Sequence, residues 1–189
     1  RRRLMLGYQL WHDEKDVFEP CVVAKRFDAH PRIREELGEL AQVLEGQVGL
    51  APSMVMPDDW TLQLHRAYER REVLTAVGAW TSEQKPSSRE GVRRLGEDHE
   101  LFFVTLNKDE ARFSPTTRYN DYAISRDLFH WQSQSSTPED GDVGRAYREG
   151  RRQFWLFVRK SSDQPFYFLG PVTYVSHEGS KPMNITWRL

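Results

Sequence analysis

Two polar segments of the sequence, 113–134 and 174–182, crowd aromatic rings beside amides, carboxylates and hydroxyls. Neither fits a strand pattern, so we interpret both as loops. In the first, Tyr119, Tyr122 and Trp131 could stack on a flat ligand, and polar groups could hydrogen-bond to the edge of a DNA base. The candidate edge-reading residues are Asn120, Asp121, His130, Gln132, Gln134, His177 and Glu178. These residue types favour recognition of a base or of its modification.

Positive charge near these loops could hold DNA phosphates. The candidates are Arg118, Arg145, Arg151, Arg152, Ser180 and Lys181. Lys181 is well placed because it follows the turn at Gly179 and Ser180, where backbone N–H groups and an ammonium group could converge on a phosphate. The whole chain has 27 Lys and Arg against 28 Asp and Glu, a net charge of -1. DNA affinity would therefore depend on how the arginines cluster in space.

The same features also have a structural interpretation. The rings could fill the ends of a small barrel, and we assign Phe129 to the core, while Asn120 and Asp121 form turn hydrogen bonds. Arg151 and Arg152 could instead protect the edge of a sheet against pairing with another chain. The sequence alone leaves these alternatives open.

A catalytic interpretation starts from Asp121, His130, His177 and Glu178, which are chemically able to form an acid/base site. The sequence does not supply the mutual geometry that such a site requires. It has no glycine-rich phosphate loop ending in Gly-Lys-Ser/Thr, and neither histidine has a Cys or His neighbour at metal-ligand spacing. We therefore expect no catalytic residue, no metal and no cofactor in this chain.

The single cysteine, Cys21, excludes an internal disulfide and favours a reducing, cytoplasmic setting. No apolar run approaches the roughly 18 residues of a membrane-spanning helix, so no membrane partner is expected. The sequence begins with Arg1 instead of an initiator Met. We expect it to be a piece of a longer protein.

The hydrophobic pattern changes near the turn-rich segment 81–88. Before it, Ile33, Leu37 and Leu40 lie on one stripe of an amphipathic helix that begins near Pro31, and a shorter helix fits 70–79. This pattern predicts a helical connector or scaffold over 1–80.

After this segment, short apolar runs rich in aromatic and β-branched residues predict strands at 101–106, 154–158 and 166–169, covered on both faces. Met183, Ile185 and Trp187 alternate with polar residues, which is typical of a strand with one solvated face. We predict an α+β fold: the helical connector, then a small mixed β-barrel or strongly curled sheet over 81–189. One or two short helices should accompany the sheet, one of them near 143–148.

Several strings in this second part resemble a known family. They are LFFVTLNK at 101–108, FSPTT at 113–117, YNDYAI at 119–124, LFHWQSQ at 128–134, FLGP at 168–171 and VSHEGS at 175–180. They are similar to a domain of unknown function at the C-terminal end of large bacterial DEAD/DEAH-box helicases, many of which carry a phospholipase-D-like nuclease domain at the other end. The resemblance is dense over about 66–189, and the connector upstream is similar more loosely.

This resemblance implies a terminal module of a DNA-processing defence or restriction enzyme. We expect a non-catalytic module that reads modified or marked double-stranded DNA, through a base modification and possible base flipping or through a backbone modification such as phosphorothioate. Its partners would be that DNA and the helicase and nuclease domains of the same parent chain. The alternative is a protein-interaction or structural module that docks on the helicase motor.

Overall fold

The computed structural model describes residues 2–11, 19–45, 54, 56–57, 60–81, 83, 86, 90–107 and 120–189. The chain forms two compact units, Arg1–Ser88 and Arg89–Leu189.

The first unit is helical. Its elements are α1 (Arg2–Trp11), α2 (Pro20–Ala29), α3 (Pro31–Glu45), the short strand β1 (Ala67–Tyr68) and α4 (Arg70–Ala76). α3 begins at the predicted proline, whose fixed φ and missing N–H suit the first turn of a helix. A side-chain hydrogen bond from Gln9 to Glu72 joins α1 to α4. None of the helices in the described ranges is long and apolar enough to cross a membrane.

The second unit is built on a mixed sheet. Its strands are β2 (Val92–Leu95), β3 (His99–Thr105), β4 (Tyr122–Ala123), β5 (Leu128–Gln132), β6 (Gln153–Arg159), β7 (Phe166–Glu178) and β8 (Asn184–Arg188), and its helix is α5 (Asp142–Glu149). They follow the order β2-β3-β6-β7-β8-β5-β4. The pair β3–β6 is parallel and the other neighbours are antiparallel. The predicted α+β fold with a helical N-terminal part is confirmed, and so is the short helix near 143–148.

The sheet is open, with β2 and β4 at the ends of this strand order in the described part of the chain. The barrel alternative is therefore wrong, whereas the curled sheet agrees with the structure. Phe102 on β3 stacks on Trp131 on β5, with ring centroids 4.4 Å apart and planes 16° apart. Since β6, β7 and β8 lie between these two strands, only a strongly curled sheet brings their rings together.

The curl is centred on β7, which is 13 residues long. Its first half pairs with β6 and its second half with β8. In each ladder the register shifts by one residue, leaving Leu169 and Val175 as the extra residues on β7. Bulges of this kind bend a strand and increase its twist.

Aromatic rings fill the inside of the curl. Phe129 is buried there, as predicted, and Tyr147 of α5 lies edge-on to Trp131 with centroids 5.5 Å apart. The opposite face of the sheet is also buried at Phe103 and Phe157, whose rings stack at 5.2 Å. β3 and β6 are therefore covered on both faces, which explains their continuous apolar runs.

The interpretation of 113–134 and 174–182 as loops is wrong in part. Residues 128–132 form β5, and β7 continues through Tyr174 to Glu178. These strands have one partly solvated face, so polar and buried residues alternate along β5. The extra residue Val175 interrupts that alternation in β7. The sequence pattern of 174–178 therefore does not predict a strand.

Candidate functional site

The pleat of β5 divides the predicted site residues between two faces. His130 and Gln132 are partly exposed, whereas Phe129 and Trp131 are buried. The strand register then places the exposed residues in two parallel rows across four strands. The first row is Tyr122, His130, Thr186 and Ser176, and the second is Gln132, Asn184 and Glu178. We call these seven residues the outer face.

A ring stack marks one end of the outer face. The Tyr122 and His130 rings lie 4.5 Å apart between centroids and 10° from parallel, and Tyr122 is 45% exposed. Nδ1 of His130 lies 2.7 Å from the carbonyl oxygen of Asn120. Because a carbonyl only accepts, this contact fits an Nδ1–H donor and fixes the orientation of the His130 ring.

A pair of amides lies in the second row. Gln132 accepts a hydrogen bond from the backbone N–H of Asn120 at 3.3 Å and donates through Nε2 to Oδ1 of Asn184 at 3.0 Å. A side-chain amide has two N–H groups and two acceptor lone pairs, so these bonds use half of the capacity of Gln132. The amide is thus held in place while it retains groups for a ligand.

Asp121 and Trp131, which we predicted to read or stack on a base, both make contacts within the fold. Asp121 is buried and its Oδ1 accepts a hydrogen bond from the backbone N–H of Gln132 at 3.0 Å. Trp131 is 5% exposed and stacks on Phe102 inside the curl. Trp131 belongs to the aromatic core, and the Asp121 carboxylate holds the backbone of β5.

His177 faces inward from β7. Its Nε2 lies 2.9 Å from Oε2 of Glu139 and its Nδ1 lies 2.7 Å from the hydroxyl of Tyr174. Both ring nitrogens are therefore engaged, and the side chain is 14% exposed. The structure separates His177 from His130, so the two histidines do not form the acid/base cluster considered above. Within the described ranges no group of three or more His, Cys, Asp and Glu side chains is placed to hold a metal ion.

Arg152, a predicted phosphate ligand, pairs with a buried carboxylate. Its side chain is 13% exposed and lies 3.4 Å from Oε2 of Glu100, which is itself buried. The hydroxyl of Tyr147 donates to the other carboxylate oxygen at 3.0 Å. Burial raises the pKa of Glu100 above its ordinary value, and burial followed by the charge of Glu100 raises the pKa of Tyr147.

Two other predicted phosphate ligands have acidic neighbours on the surface. Arg145 pairs with Asp142 at 2.7 Å, and Arg151 pairs with Glu149 at 2.6 Å. Exposed pairs of this kind contribute little to stability. The two arginines remain accessible, but each is partly neutralised.

Ser180 and Lys181 lie at the tip of the hairpin between β7 and β8. Ser180 accepts a hydrogen bond from the backbone N–H of Glu139, and the backbone N–H of Lys181 donates to the carbonyl of Thr137. That N–H is therefore not available to a phosphate, contrary to our expectation. The Lys181 side chain is exposed, and in the described part of the chain it has no ion pair.

Three predicted residues remain. Gln134 is exposed just beyond β5 and belongs to neither row of the outer face. Arg118 and Tyr119 lie outside the described residues. Sequence reasoning missed Ser176, Asn184 and Thr186 as site residues, although the alternation after Met183 already placed Asn184 and Thr186 on the polar face of a strand.

Comparison with known proteins assigns the chain to a family. No curated protein matches the sequence. A crystal structure of Arabidopsis thaliana SUVH6 in complex with SAM is similar over 79% of this chain, with 12% identity and a TM-score of 0.42, and the match spans 30% of the SUVH6 chain. A model of a domain of unknown function, DUF3427, matches residues 62–189. The chain therefore belongs to the DUF3427 family.

Proposed function

We propose that the unit Arg89–Leu189 is a DNA-recognition module that reads modified or otherwise marked double-stranded DNA. The observation that carries this proposal is the outer face, where an exposed ring stack adjoins fixed amides, hydroxyls and a carboxylate on neighbouring strands. Amides offer paired donors and acceptors to base edges, and aromatic rings support a base by stacking. Lys181 at the hairpin tip adds a phosphate contact.

The parent protein in this proposal is a helicase with an attached nuclease that restricts foreign DNA. The resemblance to the terminal domain of such helicases supports that context. The module would catalyse nothing itself and would select the DNA on which the motor and nuclease act. The mark would be a base modification read on the outer face or a backbone modification such as sulfur in place of a phosphate oxygen.

The test is a binding titration of the 189-residue chain against labelled duplexes that carry cytosine, adenine or phosphorothioate modifications, at several salt concentrations. We expect salt-sensitive binding and tighter binding to at least one modified duplex. Tyr122→Ala and Gln132→Ala should weaken it. Tyr167→Ala is the matched control, because Tyr167 is also an exposed tyrosine, 52% accessible, on the other half of β7. Absence of salt-sensitive binding to every duplex would refute the proposal.

A second candidate function, docking on the helicase motor, is favoured by one observation in the first unit. Leu40 and Val43 of α3 are 51% and 64% exposed, and exposed apolar side chains on one helix are typical of a protein contact. In that case Leu40→Glu should impair assembly of the intact parent enzyme without changing DNA affinity. Normal assembly of this variant would argue against docking through α3.

A further inference from the structure

We infer that the outer face holds one unpaired nucleobase in a slot above Thr186, against the His130 ring, and that it favours bases with an exocyclic amino group. This inference rests on the proposed function and names the form of DNA that the site would take. It concerns a surface site on the sheet, defined by the cross-strand register.

The first row supplies the slot. Tyr122 from β4 covers one face of the His130 ring at 4.5 Å. On the other side of His130, the register places the small side chain of Thr186 on β8 and then Ser176 on β7. Neighbouring strands lie about 4.8 Å apart, which is close to the measured spacing of the ring stack. A flat ring above Thr186 would therefore contact the second face of His130 as Tyr122 contacts the first.

The second row supplies the edge contacts. Gln132, Asn184 and Glu178 lie side by side on β5, β8 and β7, two residues along from the slot. The amides offer both donors and acceptors, whereas an ionised carboxylate such as that of Glu178 offers acceptors and no donor. An acceptor in this place suits the amino group of adenine, cytosine or guanine, while thymine has no such group.

The chemistry of the slot explains the preference for an unpaired base. In a duplex both faces of each base are covered by stacked neighbours and the pairing edge is occupied. A base can contact the His130 ring and the amide row together only after it leaves the stack, and this costs least where the base already lacks a partner. The ring stack is held by the bond from His130 to Asn120, so it needs little ordering on binding.

The experiment compares two duplexes of the same sequence, one fully paired and one with a single extra unpaired adenine, in titrations of the 189-residue chain. We expect about tenfold tighter binding to the duplex with the unpaired base, within the range that base–aromatic stacking contributes. A duplex with an unpaired cytosine should bind as tightly as the one with adenine, and a duplex with an unpaired thymine should bind more weakly.

Thr186→Phe fills the slot with a ring while leaving His130 and the amides in place, and phenylalanine suits a strand. This variant should lose the preference and keep the affinity for the fully paired duplex. His130→Ala should also lose the preference, and circular dichroism of both variants reports their folding. Tyr167→Ala should behave as the unaltered chain.

The possible failures are distinguishable. Equal affinity for paired and unpaired duplexes, or an undiminished preference in a folded Thr186→Phe variant, would overturn the slot and leave DNA recognition standing. Absence of binding to either duplex would overturn the proposed function together with the slot. Equal binding of adenine and thymine would overturn the role of Glu178.

Discussion

The Nε2 atom of His177 lies 2.9 Å from Oε2 of Glu139, and this contact joins the end of β7 to the segment before α5. Two hydrogen bonds donated by backbone N–H groups, one to a side-chain hydroxyl and one to a carbonyl, join the same parts of the chain. The Glu139 N–H donates to Ser180 at 3.1 Å, and the Lys181 N–H donates to Thr137 at 3.2 Å. The hairpin tip is thus tied to the rest of the unit through both the side chain and the backbone of Glu139.

We predict that Glu139→Ala loosens the hairpin tip. Loss of one hydrogen bond costs about 1 kcal/mol, so amide hydrogen exchange at Lys181 should become about fivefold faster. Glu139→Gln keeps an acceptor for Nε2–H of His177 and should exchange nearly as the unaltered chain does. Unchanged exchange in the alanine variant would show that this contact does not hold the tip.

The buried carboxylate of Glu100 gives a pH-dependent prediction. Burial raises its pKa above the ordinary 4.5, against the opposing effects of the Tyr147 hydrogen bond and the Arg152 charge. A raised pKa in the folded state means that Glu100 stabilises the fold below about pH 4.5 and that this contribution is lost as the pH rises through the folded pKa. The free energy of unfolding of Glu100→Gln should therefore increase, relative to the unaltered chain, as the pH rises from 4.5 towards neutrality.

Urea unfolding at a series of pH values measures this difference. Glu97→Gln is the matched control, since Glu97 is 84% exposed and pairs with Arg94 at the surface. The control should show a smaller pH dependence than Glu100→Gln. A difference between Glu100→Gln and the unaltered chain that stays constant with pH would contradict the prediction.

Trp131 should affect stability and leave DNA binding alone. Trp131→Ala removes a ring that contacts Phe102, Tyr147 and Trp187, and we expect a loss of about 3–5 kcal/mol in the free energy of unfolding. Trp131→Phe preserves most of the packing and should bind DNA with unchanged affinity. A folded Trp131→Phe variant that loses DNA affinity would show instead that Trp131 takes part in binding.

Lys181 should contribute one phosphate contact to DNA binding. Lys181→Ala should lower the salt dependence of affinity by about one unit of slope, uniformly across sequences. Lys160→Ala removes the same charge beyond the end of β6 and should not lower the slope. If both variants lower it equally, Lys181 acts through net charge and makes no specific contact.

Arg152→Ala should act through the fold instead. Its removal leaves the buried Glu100 without its cationic partner, and breaking a buried pair in this way costs about 3–5 kcal/mol. Thermal unfolding measures the loss. A variant that unfolds at the same temperature as the unaltered chain would show that Arg152 is not needed by Glu100.

The apolar strands could be predicted because burial on both faces produces continuous runs, as in β3 and β6, and β8 could be predicted because its buried residues alternate with polar ones. β4 and β5 are harder to predict from the sequence. Their polar residues resemble a loop until the register shows that Tyr122, His130 and Gln132 share one face. The burial of Trp131 could not be predicted, because a ring between two polar residues looks accessible in a sequence, whereas the pleat turns it inward.

The contacts of the arginines could not be predicted at all. Arg145, Arg151 and Arg152 are close in sequence, and only the fold shows that Arg152 faces the buried Glu100 while the other two face solvent. The role of Asp121 could not be predicted for the same reason, since its carboxylate accepts a hydrogen bond from the backbone of Gln132, eleven positions away.

The two bulges of β7 have a consequence for protein engineering. Each extra residue shifts the alternation of every side chain that follows it on the strand, so Leu169 and Val175 together set which residues of β7 face the core and which face solvent. Deleting Val175 would remove the bulge and leave these faces unchanged, because Ser176 would then follow Tyr174 directly and keep its place opposite Thr186. Val175 is therefore a position in β7 from which a residue can be removed without turning His177 outward or Glu178 inward.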